Sequence, residues 1–398
     1  MKAIFIGSIY PEEDQVVLKQ LGSGIDNASH TFQSALLKGF ENYYDEVRVI
    51  TCPSISSYPR CKKISFKAKE YRFPFAKNIA GIATGFINLP LIKMISKYRR
   101  VKKALKAELD KLEDETVIYI YATHSPFMKA VCNVKHPKAK TCLIVPDLPE
   151  FMSGNKNRLY RFAKRIDKHL IDSCVEQLDS FVLLSPYMKE RLPIGDKPWI
   201  QMEGIFQDRP IKETIKKEDY KTILYTGNIG KRYGIIELLD AFSQIKDDDY
   251  RLWIRGNGET LAEVQERAKT DHRIVYFEQM SKEELLKLQR KATLLVNPVS
   301  PKQEFTRYFF PSKTMEYLAS GTPTMMFNLD CLPKEYHEHL YFFENDTPES
   351  MSQRIQEVCS KSSDELKSFG EEASQFILNQ KNAASQTGRV VEMIKRNL

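Results

Sequence analysis

The residues with the clearest capacity for chemistry lie between positions 293 and 323. An apolar run from Thr293 to Val296 predicts a buried strand, and a polar loop that contains two prolines follows it. Ser312 then begins a segment with apolar residues at helical spacing, which ends at Gly321 and Pro323. Because serine is a good helix N-cap, backbone N–H groups without partners are expected at the start of this helix.

Lys313 stands in the first turn of that helix, where a positive charge opposes the helix dipole. A lysine in this position does not stabilise the fold, but its charge would interact favourably with a bound phosphate. Glu316 lies one turn further on, and its carboxylate could accept two hydrogen bonds from a vicinal diol such as that of a ribose. A helix-capping role or a solvated helix face is an equally good interpretation of Glu316.

This stretch resembles the donor-site motif of retaining family 4 glycosyltransferases. Their motif has two glutamates eight positions apart, followed by a helix and a Gly-Thr-Pro turn. Glu316 matches the second glutamate and Gly321 begins the matching turn, whereas Tyr308 occupies the position of the first glutamate. The version Pro-Ser-Lys-x-x-Glu-Tyr-Leu-Ala-x-Gly-x-Pro is similar to that of a bacterial surface-polysaccharide subgroup.

The resemblance implies an α/β protein of the GT-B fold, with two Rossmann-like doubly wound domains facing a central cleft. It implies transfer from a nucleotide diphosphate sugar of the UDP or GDP type, with no further cofactor and no metal. In the family, the second glutamate binds the ribose, which assigns that role to Glu316, and Ser312 lies at the same site. Glu304 and Tyr308 are the two candidates for contact with the donor sugar. Backbone groups at Gln279 and Met280 are implied to hold the nucleobase.

A second segment of the expected site follows the predicted strand Lys221 to Tyr225. It contains Gly227, Asn228, Lys231 and Arg232, and a glycine-bearing loop that leads into a helix is a weak phosphate-site signal. The family places an arginine and a lysine here, but their positions align with Asn228 and Tyr233. Lys231 or Arg232 is therefore expected to supply the positive charge, together with Lys313.

In the first half of the chain, His124 is the residue predicted to lie on the acceptor side of the site. It follows the predicted strand Val117 to Tyr121, and a residue at that end of a strand faces the ligand edge of a doubly wound sheet. A hydrogen-bonded structural histidine is the alternative. We predict catalytic roles for His124, Lys313 and Arg232. Asp247-Asp248-Asp249 has the form of a metal-binding DxD motif, but its place before a strand favours a solvated turn.

Length and cysteine content constrain the organisation of the chain. At 398 residues it suits two domains, predicted as 1–205 for the acceptor and 206–380 for the donor, with a linker at 206–220. A helix at 381–398 is expected to cross back to the first domain. The seven cysteines form no CxxC pair, which indicates reduced core residues and a cytoplasmic protein.

Charge is unevenly distributed. Residues 1–200 carry 32 Lys and Arg against 21 Asp and Glu, and the segment 71–107 has no acidic residue. This basic, aromatic-rich segment indicates contact with an anionic membrane surface, and an ordinary core-packed helix with a solvated basic face is the alternative. No recognised motif favours nucleic acid. The helix predicted here begins after Pro90, and its apolar residues at helical spacing would face the core in that alternative: Leu91, Met94, Tyr98, Val101, Leu105, Leu109 and Leu112.

The expected function is transfer of a hexose to a lipid-linked or glycan hydroxyl during surface-polysaccharide assembly. The protein would be cytoplasmic, with peripheral attachment to the inner face of the cell membrane left open. Two rivals remain, a non-catalytic sugar-nucleotide-binding scaffold and a nucleotide-sugar epimerase of the same fold. Measurable donor hydrolysis would argue against the scaffold, whereas an epimerase would act without an acceptor.

Overall fold

The computed structural model describes residues 1–10, 14, 17, 18, 20–22, 26–73, 76–90, 92–148, 150, 158–207 and 215–397. The chain divides into two compact units. Unit 1 comprises Met1–Gln207 and Ala383–Leu398, and unit 2 comprises Asp208–Asn382. Part of the predicted linker, residues 208–214, lies outside the described residues.

Unit 1 is an α/β unit built on one large sheet. Its strands are β1 Lys2–Gly7, β2 Glu46–Thr51, β3 Ser65–Phe66, β4 Lys69–Arg72, β5 Ile79–Ala83, β6 Phe86–Ile87, β7 Thr116–Tyr121, β8 Ala139–Val145, β9 Ser180–Leu183 and β10 Trp199–Gln201. Its helices are α1 Asn27–Phe40, α2 Ile92–Leu109, α3 Ser125–Cys132 and α4 Arg158–Val175, followed after unit 2 by α11 Ala383–Lys395.

The large sheet has the strand order β10-β9-β8-β7-β1-β2-β5-β4, and within the described part of this sheet only β4 is antiparallel to its neighbour. Strands β3 and β6 form a separate antiparallel pair. Its central strands are buried on both faces, as in β7, where all six residues are buried. Such runs of apolar and β-branched residues are typical of parallel strands covered by helices. The chain reverses its direction of strand addition between β1 and β7, which makes their carboxyl ends a topological switch point.

Helix α11 completes the core of unit 1. Val390, Val391 and Ile394 belong to the same buried cluster as Phe40 of α1. The two helices approach closely at Gly39, where an added Cβ would lie 2.4 Å from the carbonyl oxygen of Ala383. Residues from both ends of the sequence therefore form one hydrophobic core.

Unit 2 is a second α/β unit. Its strands are β11 Lys221–Asn228, β12 Tyr250–Asn257, β13 Ile274–Phe277, β14 Leu294–Asn297, β15 Thr324–Phe327 and β16 Tyr341–Phe343. Its helices are α5 Ile235–Gln244, α6 Leu261–Thr270, α7 Lys282–Lys291, α8 Lys313–Ala319, α9 Pro348–Cys359 and α10 Ser363–Gln380.

The described strands of unit 2 form one parallel sheet with the order β13-β12-β11-β14-β15-β16. Strand addition reverses between β11 and β14, so the switch point of this unit lies at their carboxyl ends. Doubly wound parallel sheets were predicted for both halves, and the structure confirms them. Residues 247–249 form the turn before β12, where the Asp249 N–H donates to Asp247 Oδ1 at 2.9 Å. Among the described helices, none is both long and apolar enough to cross a bilayer.

Helix α2 differs from its predicted orientation in its first two turns. Val101, Leu105 and Leu109 face the core, but Met94 is 40% exposed, so the core-packed interpretation does not hold for Met94. The buried face of the helix is continued by Lys97 instead. Leu91, also predicted for this face, lies outside the described residues.

Candidate functional site

The predicted donor residues that follow β11 and β14 lie at the topological switch point of unit 2. The segment after β11 contacts the segment after β14, since a Cβ on Gly234 would lie 2.0 Å from the carbonyl oxygen of Pro298. The Arg232 guanidinium lies over the ring of Phe305 at 5.0 Å and over that of Tyr233 at 4.9 Å. Ligands of doubly wound sheets bind at this edge, so the placement favours a binding site.

Hydrogen bonds fix the segment that follows β11. Asn228 Oδ1 accepts from the Gly230 N–H at 2.9 Å, and Tyr225 donates its hydroxyl to the Asn228 carbonyl at 2.6 Å. The backbone N–H of Lys231 donates to Glu259 Oε1 at 2.9 Å. The side chains of Asn228 and Lys231 are exposed, so the loop offers an ordered backbone and a solvent-facing cation.

Lys313 lies against this loop. A Cβ on Gly227 would be 3.3 Å from Lys313 Cε, so a side chain at this position would press on the lysine stem. Gly227 also has a φ of +153°, which side chains rarely adopt. At the end of the stem, Nζ donates to Thr226 Oγ1 at 3.4 Å, and Tyr317 fixes Thr226 by accepting its N–H at 2.7 Å. The ammonium group is thus held at the carboxyl edge of β11.

Positive charge accumulates around Lys313. Burial is the main cause that lowers its pKa; Glu316 raises the pKa, whereas Arg255 and Lys282 lower it further. Arg255 lies on β12 directly beside Thr226 in the strand register. Three cations near one carboxylate form a site that favours a multiply charged anion such as a diphosphate.

Glu316 is held by a residue from another helix. Gln289 of α7 is fully buried, and its Nε2 donates to Glu316 Oε1 at 2.7 Å. One carboxylate oxygen is therefore oriented by the protein, and the half-exposed side chain retains acceptor capacity for a ligand. Among the described hydrogen bonds, none joins the Glu316 side chain to the start of its helix. This favours the diol interpretation of Glu316 over the capping interpretation.

Ser312 differs from its predicted role. Its backbone is already helical, with φ −53° and ψ −26°, and its side chain makes no capping hydrogen bond. The Thr314 N–H donates to the Pro311 carbonyl at 2.8 Å, so it is not free for a ligand. Helix α8 is also only seven residues long. The positive charge of the site therefore comes from side chains rather than from an open helix start.

The remaining donor predictions divide into exposed and buried positions. Glu304 is exposed at the start of a 3-10 turn, whereas Tyr308 is 5% exposed. Gln279 is exposed after β13, and Met280 packs against the apolar cluster that contains Leu224 and Tyr317. Met280 is thereby brought next to the helix that carries Glu316.

His124 belongs to unit 1, whereas the donor predictions belong to unit 2. It follows β7 and precedes α3, and its ring contacts Phe127 edge-on at 4.5 Å. Ala122, two residues earlier, has a φ of +66°, a strained value for a residue with a side chain. Burial lowers the pKa of His124 to about 3, with further lowering by Lys97 and Lys93, so the imidazole is neutral.

Sequence reasoning missed Arg255, Lys282 and Gln289. Arg255 could have been identified as a site residue from the sequence, because it is a charged residue near the carboxyl end of a strand whose residues alternate between buried and half-buried. Gln289 interrupts the apolar face of α7 one turn after Leu285, which is a weaker signal. Lys282 has no signal beyond its place in the first helical turn.

Solved structures with the same fold cover nearly the whole chain. Sucrose-phosphate synthase from Thermosynechococcus elongatus has a TM-score of 0.58 and 13% identity, over 100% of this chain and 99% of that one. A variant of S. aureus TarM, in complex with fondaparinux, alpha-GlcNAc-glycerol and UDP, has a TM-score of 0.59 and 11% identity, over 99% of each chain. WaaG, a glycosyltransferase involved in lipopolysaccharide biosynthesis, has a TM-score of 0.57 and 14% identity, over 99% of each chain. The fold is therefore that of GT-B glycosyltransferases, as predicted.

A family match covers the part of the chain that holds the cluster. Residues 206–376 match the family model described as Glycosyl transferases group 1. No curated protein sequence matches the chain. Unit 2 thus matches the group 1 glycosyltransferase domain over most of its length.

Proposed function

We propose that the protein is a retaining glycosyltransferase. It transfers a hexose from a nucleotide diphosphate sugar to a hydroxyl of a lipid-linked or glycan acceptor in surface-polysaccharide assembly. Unit 2 binds the donor and unit 1 binds the acceptor. The observation that carries this proposal is the group of Lys313, Arg255 and Lys282 beside Glu316, at the switch point of a unit that matches a glycosyltransferase domain.

Each part of the donor has a matching group in unit 2. Lys313, with Arg255 and Lys282 nearby, neutralises the diphosphate, and exposed Lys231 and Arg232 add charge from the loop after β11. Glu316 accepts hydrogen bonds from the ribose diol while Gln289 orients it. Met280, in the cluster beside α8, lines the nucleobase side together with the backbone at Gln279.

The reaction breaks the bond between the anomeric carbon and the β-phosphate oxygen. The acceptor oxygen bonds to that carbon on the same face, and the hydroxyl proton passes to the departing diphosphate. Negative charge therefore builds on the diphosphate in the transition state, where fixed cations stabilise it most. The described residues supply these cations as side chains of unit 2. A metal ion is not required for this charge balance.

The test is release of nucleotide from a panel of UDP- and GDP-sugars by the full-length protein. Glu316→Ala is expected to lower kcat/KM by about 10- to 100-fold, because it removes hydrogen bonds to a charged acceptor. The matched control is Glu371→Ala, which removes a surface glutamate whose only described ion pair spans 3.9 Å. Equal activity of both variants would contradict the ribose role.

The same panel separates the rival functions. Release of nucleotide that rises when an acceptor is added supports transfer. Interconversion of two sugar nucleotides without an acceptor would establish the epimerase instead. Binding of a donor without turnover under any condition would establish the scaffold.

We further propose that unit 1 binds an anionic membrane surface through the segment 71–107. Ile87, Ile92 and Ile95 are 42%, 47% and 55% exposed. These three residues, the isoleucine patch, belong to neighbouring elements, since the Ile87 N–H donates to Ser96 Oγ of α2. Arg99 and Arg100 follow on α2 and are exposed. Exposed apolar groups beside cations fit an anionic lipid surface.

Ile95→Ser is expected to weaken binding to anionic lipid vesicles by about 10-fold, since a buried aliphatic side chain contributes about 1.5–3 kcal/mol. Co-sedimentation measures this partition. Ile166→Ser is the matched control, because Ile166 is 50% exposed on α4 and lies outside the isoleucine patch. An equal loss for the two variants, or none for Ile95→Ser, would refute the assignment.

A further inference from the structure

In the first half of α2, Lys93 and Lys97 occupy positions where core residues are expected. Positions 93, 97, 101, 105 and 109 recur every four residues and form one continuous row along the helix, in which each residue lies one turn above the last. Val101, Leu105 and Leu109 in this row are buried, and so is Lys97, which is 2% exposed. Lys93 continues the row and is half-buried, while the isoleucines at 92 and 95 point to solvent. Burial of two lysines in place of available isoleucines disfavours folding.

Both ammonium groups reach the segment that follows β2. Lys97 Nζ donates to the Pro53 carbonyl at 2.8 Å and lies 4.9 Å from the centre of the Phe86 ring. Lys93 Nζ donates to the Ile55 carbonyl and lies 3.5 Å from Ser57 Oγ. Each ammonium has three N–H groups, so donors remain after these bonds. No ion pair joins either lysine to a carboxylate among the described residues.

The described groups beside the two lysines are thiols and an imidazole rather than carboxylates. Burial raises the pKa of the Cys52 thiol, which the nearby Lys97 only partly counteracts. His124 is neutral, and Cys61 is the further group whose field reaches Lys93. Burial also lowers the pKa of Lys97. The described surroundings offer neither ammonium a carboxylate, so an anion bound there would stabilise the charged form of both lysines.

The location is the ligand-binding edge of the unit 1 sheet. Cys52 and Pro53 follow β2 and His124 follows β7, and these strands flank β1 in the sheet. The carboxyl ends of all three strands meet at one edge, at the switch point of the unit. Lys93 and His124 are partly exposed, so the group is open to solvent on their side.

We propose that Lys93 and Lys97, with His124 beside them, bind a phosphate group of the acceptor in unit 1. Two ammonium groups match a phosphate monoester, whose charge near neutral pH is about −1.5 to −2. A single carboxylate would leave one charge unbalanced. The inference rests on the proposed function only in assigning the phosphate to the acceptor. Binding of phosphate itself requires no donor and no transfer.

Binding should weaken in alkaline solution. Burial, then the charge of Lys97, lowers the pKa of Lys93 to about 8, with Cys52 and Cys61 opposing the shift. The protonated form binds the anion, so affinity is present below this pKa and falls as the pH rises above it. A phosphate monoester is already dianionic in this range, since its second pKa is about 6. We expect several-fold weaker binding at a pH about one unit above this pKa than at a pH just below it.

The test measures the Tm of the full-length protein against inorganic phosphate at constant ionic strength, with chloride as the reference salt. Phosphate also stabilises proteins through exclusion from their surface, and this effect is common to all variants. The wild type should show an additional, saturable rise in Tm that Lys97→Met lacks. Lys38→Met, which removes an exposed lysine of α1 outside the segment 71–107, should retain the rise.

A second measurement separates binding from structure. In chloride alone, Lys97→Met should melt at the same temperature as the wild type or about 2–4 °C higher, because it removes a buried charge. A lower Tm in chloride together with an unchanged phosphate response would overturn the proposal. If Lys97→Met does not fold, Lys93→Met serves in its place, since Lys93 is only half-buried.

Two further ligands identify the source of the phosphate. A soluble sugar phosphate should compete with inorganic phosphate if the acceptor is a phosphorylated sugar. Vesicles of phosphatidylcholine with phosphatidic acid should bind more weakly to Lys97→Met than to Lys38→Met if the group belongs to a lipid. If neither ligand distinguishes Lys97→Met from Lys38→Met, the acceptor assignment is wrong, whatever the result with inorganic phosphate.

Discussion

Replacing Lys313 with methionine is expected to slow nucleotide release from the donor by about 100- to 1,000-fold. The ammonium is anchored on Thr226 at 3.4 Å, and its stem passes over Gly227, so it is held in place before the donor arrives. A fixed cation acts most strongly where charge develops, which is on the departing diphosphate. Most of the loss should therefore appear in kcat, as measured by steady-state release of nucleotide.

Thermal stability distinguishes this role from a structural one. Burial lowers the pKa of Lys313, which shows that its charged form is disfavoured in the folded protein. Lys313→Met should consequently melt no lower than the wild type. Lys334→Met, at a lysine of the same unit outside the donor cluster, is the control and should keep full activity. A variant at 313 that loses stability and activity in parallel would indicate a packing role instead.

Gly234→Ala is expected to lower the free energy of unfolding of unit 2 by about 3 kcal/mol or more. Gly234 has a φ of +77°, and its Cβ would lie 2.0 Å from the carbonyl oxygen of Pro298. The segments after β11 and β14 would have to separate, which would move Arg232 off Phe305 and disturb the donor site. Donor turnover should fall by at least about tenfold, in line with a small displacement of binding groups.

Gly321 provides a matched control for the backbone strain. It has the same φ of +77°, but nothing lies within 4 Å of the position that an added methyl group would take. Gly321→Ala should therefore show only the left-handed backbone cost of about 1–2 kcal/mol. The chain has two tryptophans, Trp199 in unit 1 and Trp253 in unit 2, so in a Trp199→Phe background fluorescence reports unit 2 alone. Equal losses for the two glycine variants in urea unfolding would refute the steric argument.

The fold could be predicted because its signals are local. Apolar runs such as those of β1 and β7 are long enough to identify buried parallel strands, and their alternation with helices determines the class. The positions of Lys313 and Glu316 in one helix followed from their spacing, and the structure places both in α8. Their partners, however, come from distant parts of the sequence. Gln289 reaches Glu316 from α7, and Arg255 reaches the site from β12, so local spacing could not show that these residues meet.

Two local rules gave the wrong result for a physical reason. Ser312 has the residue type of an N-cap, but Pro311 supplies the carbonyl that accepts from Thr314, so the serine side chain is not needed there. In α2, helical spacing alone would place Met94 in the core. The segment after β2 presents backbone carbonyls to that face instead, and these carbonyls accept from Lys93 and Lys97. Spacing identifies a helix face, but it does not show which groups lie opposite.

The contribution of α11 to the unit 1 core has a consequence for synthesis on the ribosome. Val390, Val391 and Ile394 pack with Phe40, so this core cannot close until residues beyond 390 have left the exit tunnel. Unit 2 is a continuous segment that is translated earlier and can complete its sheet first. N-terminal domains generally fold first during translation, at about 5–20 residues per second. Here that order is reversed for the final packing step. The surface of α1 that α11 covers stays exposed in nascent unit 1 while about 190 further residues are added.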